Sequence, residues 1–268
     1  IALIGMQADS NSTTAGYAGA VPGFVFLNRN GFPRETKPKA HYCIKFTPGA
    51  ALYARAGWNL LSVSQTPVSY AKTSVYPGAS SAAFKYKVGT GYLTETPLIK
   101  GRGYWLKYAN KIYAGVPGLP YPSVYDSVAN GWNMIGTPSK PVPTSTIVLG
   151  NATVITPYFG YNGAGYQITS TLAPGQGYWV KTATTGPNPT LFLSAPPEGQ
   201  PKETPVESEV TAMNKIIIRD AQGMEQTLYL AEESALKGGM TYEMPPSMAE
   251  LTGFDARYSS GKIVETYP

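Results

Sequence analysis

Cysteine is all but missing: Cys43 stands alone, so no disulfide can form within this sequence and packing has to supply the stability. His41 is the only histidine, which removes His-based metal sites and most histidine acid–base schemes. Charged residues make up 14% of the chain, against about 25% in an average soluble domain. No apolar run nears the roughly 20 residues of a membrane span. The opening Ile1-Ala2-Leu3-Ile4-Gly5-Met6 is too short and too uncharged for a signal peptide, so an exported chain is expected to have lost its signal already. There is no Asp-rich calcium loop and no Gly-rich phosphate loop opening a helix, and no cofactor is expected.

Acidic residues are scarce in the first three quarters. Residues 1–197 hold 15 Lys and Arg against 4 Asp and Glu (Asp9, Glu35, Glu95, Asp126), a balance of +11, whereas residues 198–268 hold 6 against 12, a balance of −6. The basic residues form no run, so no nucleic-acid partner is expected. The contrast reads either as incidental composition or as a basic body and an acidic tail that attract, within a chain or between neighbours.

What is present is turn and strand chemistry. The 29 Gly and 24 Pro leave no uninterrupted window for a long helix, while the 20 Tyr suit a pleated surface. The strongest signal is an internal repeat. Gly57-Trp58-Asn59-Leu60-Leu61 returns as Gly131-Trp132-Asn133-Met134-Ile135, and Gly101-Arg102-Gly103-Tyr104-Trp105-Leu106-Lys107 returns as Gly175-Gln176-Gly177-Tyr178-Trp179-Val180-Lys181, both at an offset of 74. Between these blocks Pro67-Val68 matches Pro141-Val142, Phe84 matches Tyr158, Gly91-Tyr92 matches Gly165-Tyr166 and Leu98 matches Leu172. The alternation of Ala83–Val88, the turn at Gly89-Thr90-Gly91 and the following Tyr92-Leu93-Thr94 predict a hairpin. Its counterpart carries Asn162-Gly163 in the turn. The glycines of Gly-x-Gly are expected to supply positive φ, or room for an indole over the backbone. Further strands are expected at Ile112–Val116, Ser123–Val128 and Leu191–Ser194, and a short helix at Ala231–Lys237 before Gly238-Gly239.

The pairing of Gly-Trp-Asn-apolar-apolar with Gly-x-Gly-Tyr-Trp-apolar-Lys resembles a tandem β-repeat of large secreted and cell-surface proteins of bacteria. The last third resembles the β-module that precedes sorting domains in such proteins, through Asn214–Asp220, Thr227–Leu230, Tyr242–Pro246 and Phe254–Tyr258. The resemblance covers residues 48–268 and implies an exported structural or adhesive role with no catalytic residues to carry over. No sorting domain of the Asn-Tyr-Pro-Asn-Pro type follows, which implies cleavage or another anchoring route.

The expected fold is all-β: an N-terminal extension with strands (1–47), two tandem β-sandwich- or barrel-like repeats (48–121 and 122–196), an acidic Pro-rich linker (197–211) and a smaller C-terminal β-domain (212–268). Trp58, Trp105, Trp132 and Trp179, with Gly103 and Gly177, are expected to build the repeat cores. The alternative reading of the indoles is an aromatic platform for sugar rings, with Tyr92 and Tyr166 as glycan contacts. Asn11 and Asn151 head triplets of the glycosylation acceptor type. His41 and Cys43 sit two apart on one face of an expected strand, as a nucleophile pair or, more simply, as an incidental His and a small buried Cys. No metal site is expected. The functional expectation is a non-enzymatic extracellular or cell-surface subunit whose partners are other copies of itself, joined head to tail into a filament, sheath or layer. The second reading is a module that binds surface polysaccharide.

Overall fold

The computed structural model describes residues 3–7, 18–19, 43–47, 49–196, 209–236, 238–247 and 253–267. The expectations for Asn11, for His41, for part of the N-terminal extension and for the 197–208 part of the linker lie outside these residues. An antiparallel sheet of order β2-β1-β3 comes first, from β1 (Leu3–Gln7), β2 (Ala18–Gly19) and β3 (Cys43–Thr47). The first sequence copy holds β4 (Gly49–Ala54), β5 (Gly57–Ser62), β6 (Gln65–Thr66), the one-turn helix α1 (Lys72–Val75), β7 (Phe84–Lys87), β8 (Gly91–Thr94), β9 (Gly103–Tyr108), β10 (Ile112–Pro117) and β11 (Leu119–Pro120). The second holds β12 (Ser123–Ser127), β13 (Gly131–Ile135), β14 (Val142–Pro143), β15 (Val148–Gly150), β16 (Ala152–Val154), β17 (Tyr158–Tyr161), β18 (Tyr166–Thr169), β19 (Thr171–Leu172), β20 (Tyr178–Thr184) and β21 (Thr190–Ser194). The C-terminal sheet is β22 (Asn214–Arg219), β23 (Glu225–Glu232) and β24 (Val264–Tyr267). The chain is all-β and sandwich-like, as composition and turn spacing predict.

Each copy contains a main sheet of the same order, β5-β9-β7-β8 and β13-β20-β17-β18, the latter with β16 added on β20. A smaller sheet, β4-β10 in one and β12-β21-β15 in the other, accompanies it. Strand alternation then does the sorting. In β9, Tyr104, Leu106 and Tyr108 point into a core of their own copy with Leu52, Ala54 and Val116. The intervening Trp105 points the other way, into a central core that draws on both copies. In β20, Tyr178 and Val180 join Val124, Leu191 and Leu193, and Trp179 faces Trp105's side.

The Asn of Gly-Trp-Asn has a local task. The side-chain amide of Asn59 donates to Arg55 O at 2.9 Å and Gly57 O at 3.0 Å, and its oxygen accepts from Arg55 N at 2.9 Å. Asn133 repeats the pattern: it donates to Ala129 O at 3.0 Å and Gly131 O at 2.9 Å, and accepts from Ala129 N at 2.8 Å. One side chain thus saturates the bend ahead of each strand, and the bend places Gly57 and Gly131 at positive φ of 89° and 108°. No residue with a Cβ adopts that backbone cheaply.

Two expectations change. The match of Phe84 to Tyr158 gives way to Phe159, because Phe84 lies opposite Trp105 and Phe159 opposite Trp179. The second copy has one residue more before its hairpin and one fewer inside it, so the register returns to the original offset at Tyr92 and Tyr166. Its four-residue loop is held by Asn162, whose side-chain oxygen accepts from both Ala164 N and Gly165 N at 2.8 Å. The helix expected from Ala231 is a strand through Glu232, followed by one 3-10 turn at Glu233–Ala235. Parallel pairing of β24 with Tyr229–Glu232 holds that stretch extended, and sheet hydrogen bonds override its modest helix propensity.

The C-terminal sheet packs on the second copy's hairpin. The Gln226 side chain exchanges two 2.9 Å hydrogen bonds with the backbone N–H and C=O of Tyr166, standing in for a strand partner. Thr241 N donates to Ile155 O at 2.8 Å, and Lys181 pairs with Glu243 at 2.5 Å. Val210, Met213, Leu228, Tyr242, Met244 and Ile263 join the central core.

Candidate functional site

The four tryptophans lie inside, in an arrangement the sequence did not suggest. Trp105 and Trp179 are fully buried, Trp132 is nearly so and Trp58 is half-buried. Each central indole packs on the hairpin of the other copy. Trp179 meets Tyr86 at 5.1 Å and Tyr92 at 6.3 Å between ring centroids, edge to face. Trp105 meets Tyr161 at 4.9 Å and Tyr166 at 6.4 Å in the same geometry. Trp58 and Phe84 at 5.9 Å mirror Trp132 and Phe159 at 6.0 Å. The two copies are therefore interlocked about an approximate twofold axis by exchanged aromatic contacts. Each such contact is worth about 0.5–1.5 kcal/mol beyond its area.

Gly103 and Gly177 sit where this seam closes. A Cβ on Gly103 would lie 2.9 Å from Ile135 O, and one on Gly177 would lie 2.9 Å from Leu61 O. What passes over these glycines is the backbone of the other copy, not an indole. The bridges Leu61↔Gln176 and Arg102↔Ile135 are the same contact seen from each side, as are Ser62 N→Gly175 O at 2.9 Å and Gly136 N→Gly101 O at 2.6 Å. Positive φ falls instead on Gly101 and Gly175, at 82° and 78°.

Tyr166 is buried, whereas Tyr92 is half-buried with its hydroxyl enclosed. The Tyr166 hydroxyl is held at 3.3 Å from Pro246 O, and the Tyr92 hydroxyl is buried without a hydrogen-bond partner. Burial pushes both phenols well above their ordinary pKa. Asn151 is exposed in the β15–β16 turn at φ 52°, with its amide 2.7 Å from Pro187 O. Among the described residues, no three His, Cys, Asp or Glu side chains gather as metal ligands, and no helix is long and apolar enough to cross a membrane.

The feature with the chemistry of a site is a groove of about 380 Å³ between β7 of the first copy and β12–β13 of the second. Lys85, Lys87, Arg102, Asp126, Ser127 and Trp132 are among the residues that line it. At its base Glu95 pairs with Lys85 and accepts from Arg102 Nη1 at 3.1 Å and from the Tyr104 hydroxyl at 2.6 Å. Arg102 Nε also stands 3.8 Å from Asp126, so it ties the copies together. Burial works to raise the pKa of Glu95, but the hydrogen bonds from Lys85 and Tyr104 and the charge of Arg102 outweigh it and hold the carboxyl below its usual range. Asp126 goes the other way. Burial pushes it from 3.8 up to about 6, against Arg102 and the Ser127 N–H.

A pair of acids with separated pKa values is a pattern found in acid–base catalysis. Here Glu95 is spent on three donors under the groove, and Asp126 alone faces the opening, so no two free carboxylates converge. The sequence signal that points to this place is asymmetry between the copies. Arg102 against Gln176 reads by itself as a feature that is not repeated. In the structural register Lys85, Glu95 and Asp126 likewise stand where the other copy has Gly160, Thr169 and Leu52.

The shift of Asp126 carries a stability consequence. The folded state binds this proton more tightly than the unfolded state, so its contribution is fully present below 3.8 and lost as pH rises through about 6. Glu95 has the opposite sign and contributes above its ordinary range. Asp126→Asn is expected to stabilise the protein by about 2 kcal/mol at pH 8 and to be near neutral at pH 4. Thermal melts at the two pH values check this; equal effects at both would show that burial of the ionised carboxyl is not costly.

No known family, no curated protein and no solved structure matches this chain.

Proposed function

We propose that this chain is a non-enzymatic structural protein of an extracellular or cell-surface assembly, a module akin to the tandem β-repeats of bacterial surface proteins, in which copies join head to tail. The observation that carries the reading is the β22 edge. This strand pairs with β23 on one side and with no described strand on the other. All six of its residues are exposed, and Ile216, Ile217 and Ile218 retain 40%, 58% and 39% of their surface. Three successive isoleucines project to both faces of the sheet. A strand laid along this edge therefore buries apolar surface on both sides while satisfying free N–H and C=O groups.

The occupant is an edge strand from the basic body of a second copy. The residues beyond 197 carry −6 and the body carries +11. β22 itself carries two cations, Lys215 and Arg219, and Arg219 is neutralised by Glu225. Because donor and acceptor surfaces differ, the contact is heterologous and propagates as an open polymer unless it closes into a ring.

Analytical ultracentrifugation of the full chain at rising concentration tests this. Assemblies larger than dimers are expected, weakening with salt and abolished by Ile217→Lys, with the melting temperature of that variant unchanged because the position is exposed. A monomer at every concentration, or a dimer that stops there, overturns the head-to-tail reading.

A further inference from the structure

We propose that the charged groove between the two copies is a binding site for a small carboxylated sugar, one or two rings in size. The inference does not depend on the assembly reading. Where the copies only brace one another, residues related by the axis make the same contacts: Asn59 and Asn133, Trp105 and Trp179, Gly103 and Gly177. Other departures in charge are scattered, such as Arg55 against Ala129, Lys72 against Thr146 and Lys111 against Thr185, but five meet at one place. Lys85, Lys87, Glu95, Arg102 and Asp126 occupy positions held in the other copy by Gly160, Asn162, Thr169, Gln176 and Leu52, none of them charged. Asp126 replaces an inward-facing core leucine, since Leu52 is 5% exposed among apolar neighbours. The Arg102 contact at 3.8 Å only partly offsets the cost of burying a carboxylate there. The site related by the axis is also narrowed, because Arg55 lies against Gly163, whose Cβ would meet its side chain at 2.7 Å.

The chemistry of the walls selects the ligand. Lys85 and Arg102 share Glu95 beneath them. Lys87 is exposed and makes no ion pair among the described residues, so the rim keeps a surplus of positive charge. Opposite, the Asp126 carboxyl and the Ser127 hydroxyl offer hydrogen-bond acceptors, and Val88 and Trp132 supply an apolar wall. An acceptor carboxylate beside the cations disfavours a compact dianion and suits a ligand that bears hydroxyl donors next to a single carboxylate. At about 380 Å³ the space lies at the small end of ligand pockets and fits a sugar acid rather than a long chain.

The test titrates the full chain with methyl β-D-glucuronide, methyl β-D-glucoside and inorganic phosphate, followed by NMR at the Trp132 indole and the Val88 methyls. Saturable shifts with the glucuronide are expected at a Kd of about 1 mM, with neither the glucoside nor phosphate matching it. Arg102→Gln installs the residue its counterpart carries, and Lys87→Gln alters an exposed side chain. Each is expected to weaken binding by about tenfold, the loss of one charge-assisted contact. Absence of saturation, equal binding of the glucoside or of phosphate, or unchanged affinity in both variants overturns the proposal.

Discussion

Trp179→Ala is expected to lower stability by about 4 kcal/mol, in the range for removing a fully buried tryptophan from a core that cannot collapse into the space. The site is poorly placed to relax. The indole is enclosed by Trp132 at 6.0 Å from its own copy and by Tyr86 and Tyr92 from the other, so truncation opens a gap between two sheets that other contacts hold apart. A loss of that size is a large part of the 5–15 kcal/mol that holds a typical domain together. The melting temperature should fall by roughly 10 °C, with loss of near-UV circular dichroism from the coupled rings. Trp105→Ala should match it, since Trp105 makes the mirror-image contacts. Trp179→Phe should cost much less, about 1–2 kcal/mol, because the buried indole N–H has no hydrogen-bond partner to lose. Urea melts of the three variants decide the matter. An alanine variant within 1 kcal/mol of the parent would mean that the interlocking rings are not what joins the copies.

Gly136→Ala is expected to be at least as damaging, for a different reason. A Cβ here would lie 2.7 Å from Arg102 O, 2.9 Å from Arg102 N and 2.8 Å from the Ser62 Cβ. Two of the three obstacles are backbone, and no rotamer change relieves them. Ser62 is the residue that matches Gly136 in the other copy, and the two meet close to the twofold axis, where there is room for one side chain. Ser62 takes it. Its hydroxyl donates to Gln176 O at 2.8 Å and accepts from Thr137 N at 3.1 Å. The substitution should therefore pry the seam open, costing about 3 kcal/mol or more. Gly89→Ala provides the control: nothing lies within 4 Å of its Cβ position, so its penalty is the positive φ of 77° alone, about 1 kcal/mol. Chemical denaturation of both variants separates a collision from a backbone preference. Similar values for the two would show that the backbones at the seam part easily.

Much of the architecture is legible in the residues because it depends on short-range chemistry. The hairpin at Phe84–Thr94 follows from alternation around Gly89 and Gly91, and the strands after Gly57 and Gly131 follow from a bend that only glycine and a saturating asparagine can hold. The Phe84–Tyr158 match failed because a residue added before the hairpin is cancelled by one removed inside it, and a constant offset hides compensating shifts. The Ala231–Lys237 helix failed because β24, more than thirty residues on, recruits the segment into a sheet. Tyr92 and Tyr166 looked like surface aromatics by composition. Tyr166 is buried and Tyr92 half-buried because each tyrosine closes over the opposite copy's tryptophan, a fact no window along one copy contains.

The residues alone determined the all-β class, the duplication, the special status of Gly-Trp-Asn and Gly-x-Gly-Tyr-Trp, and the uneven distribution of charge. These are written in spacing and backbone tolerance, which act over a few neighbouring positions. Only the tertiary structure decided that the copies exchange aromatic contacts, that Gly103 and Gly177 are thin so that two backbones can cross, and that Lys85, Glu95, Arg102 and Asp126 gather on one side of the axis. Periodicity says which face of a strand is buried, but which surface covers that face is settled by packing between segments distant in the chain.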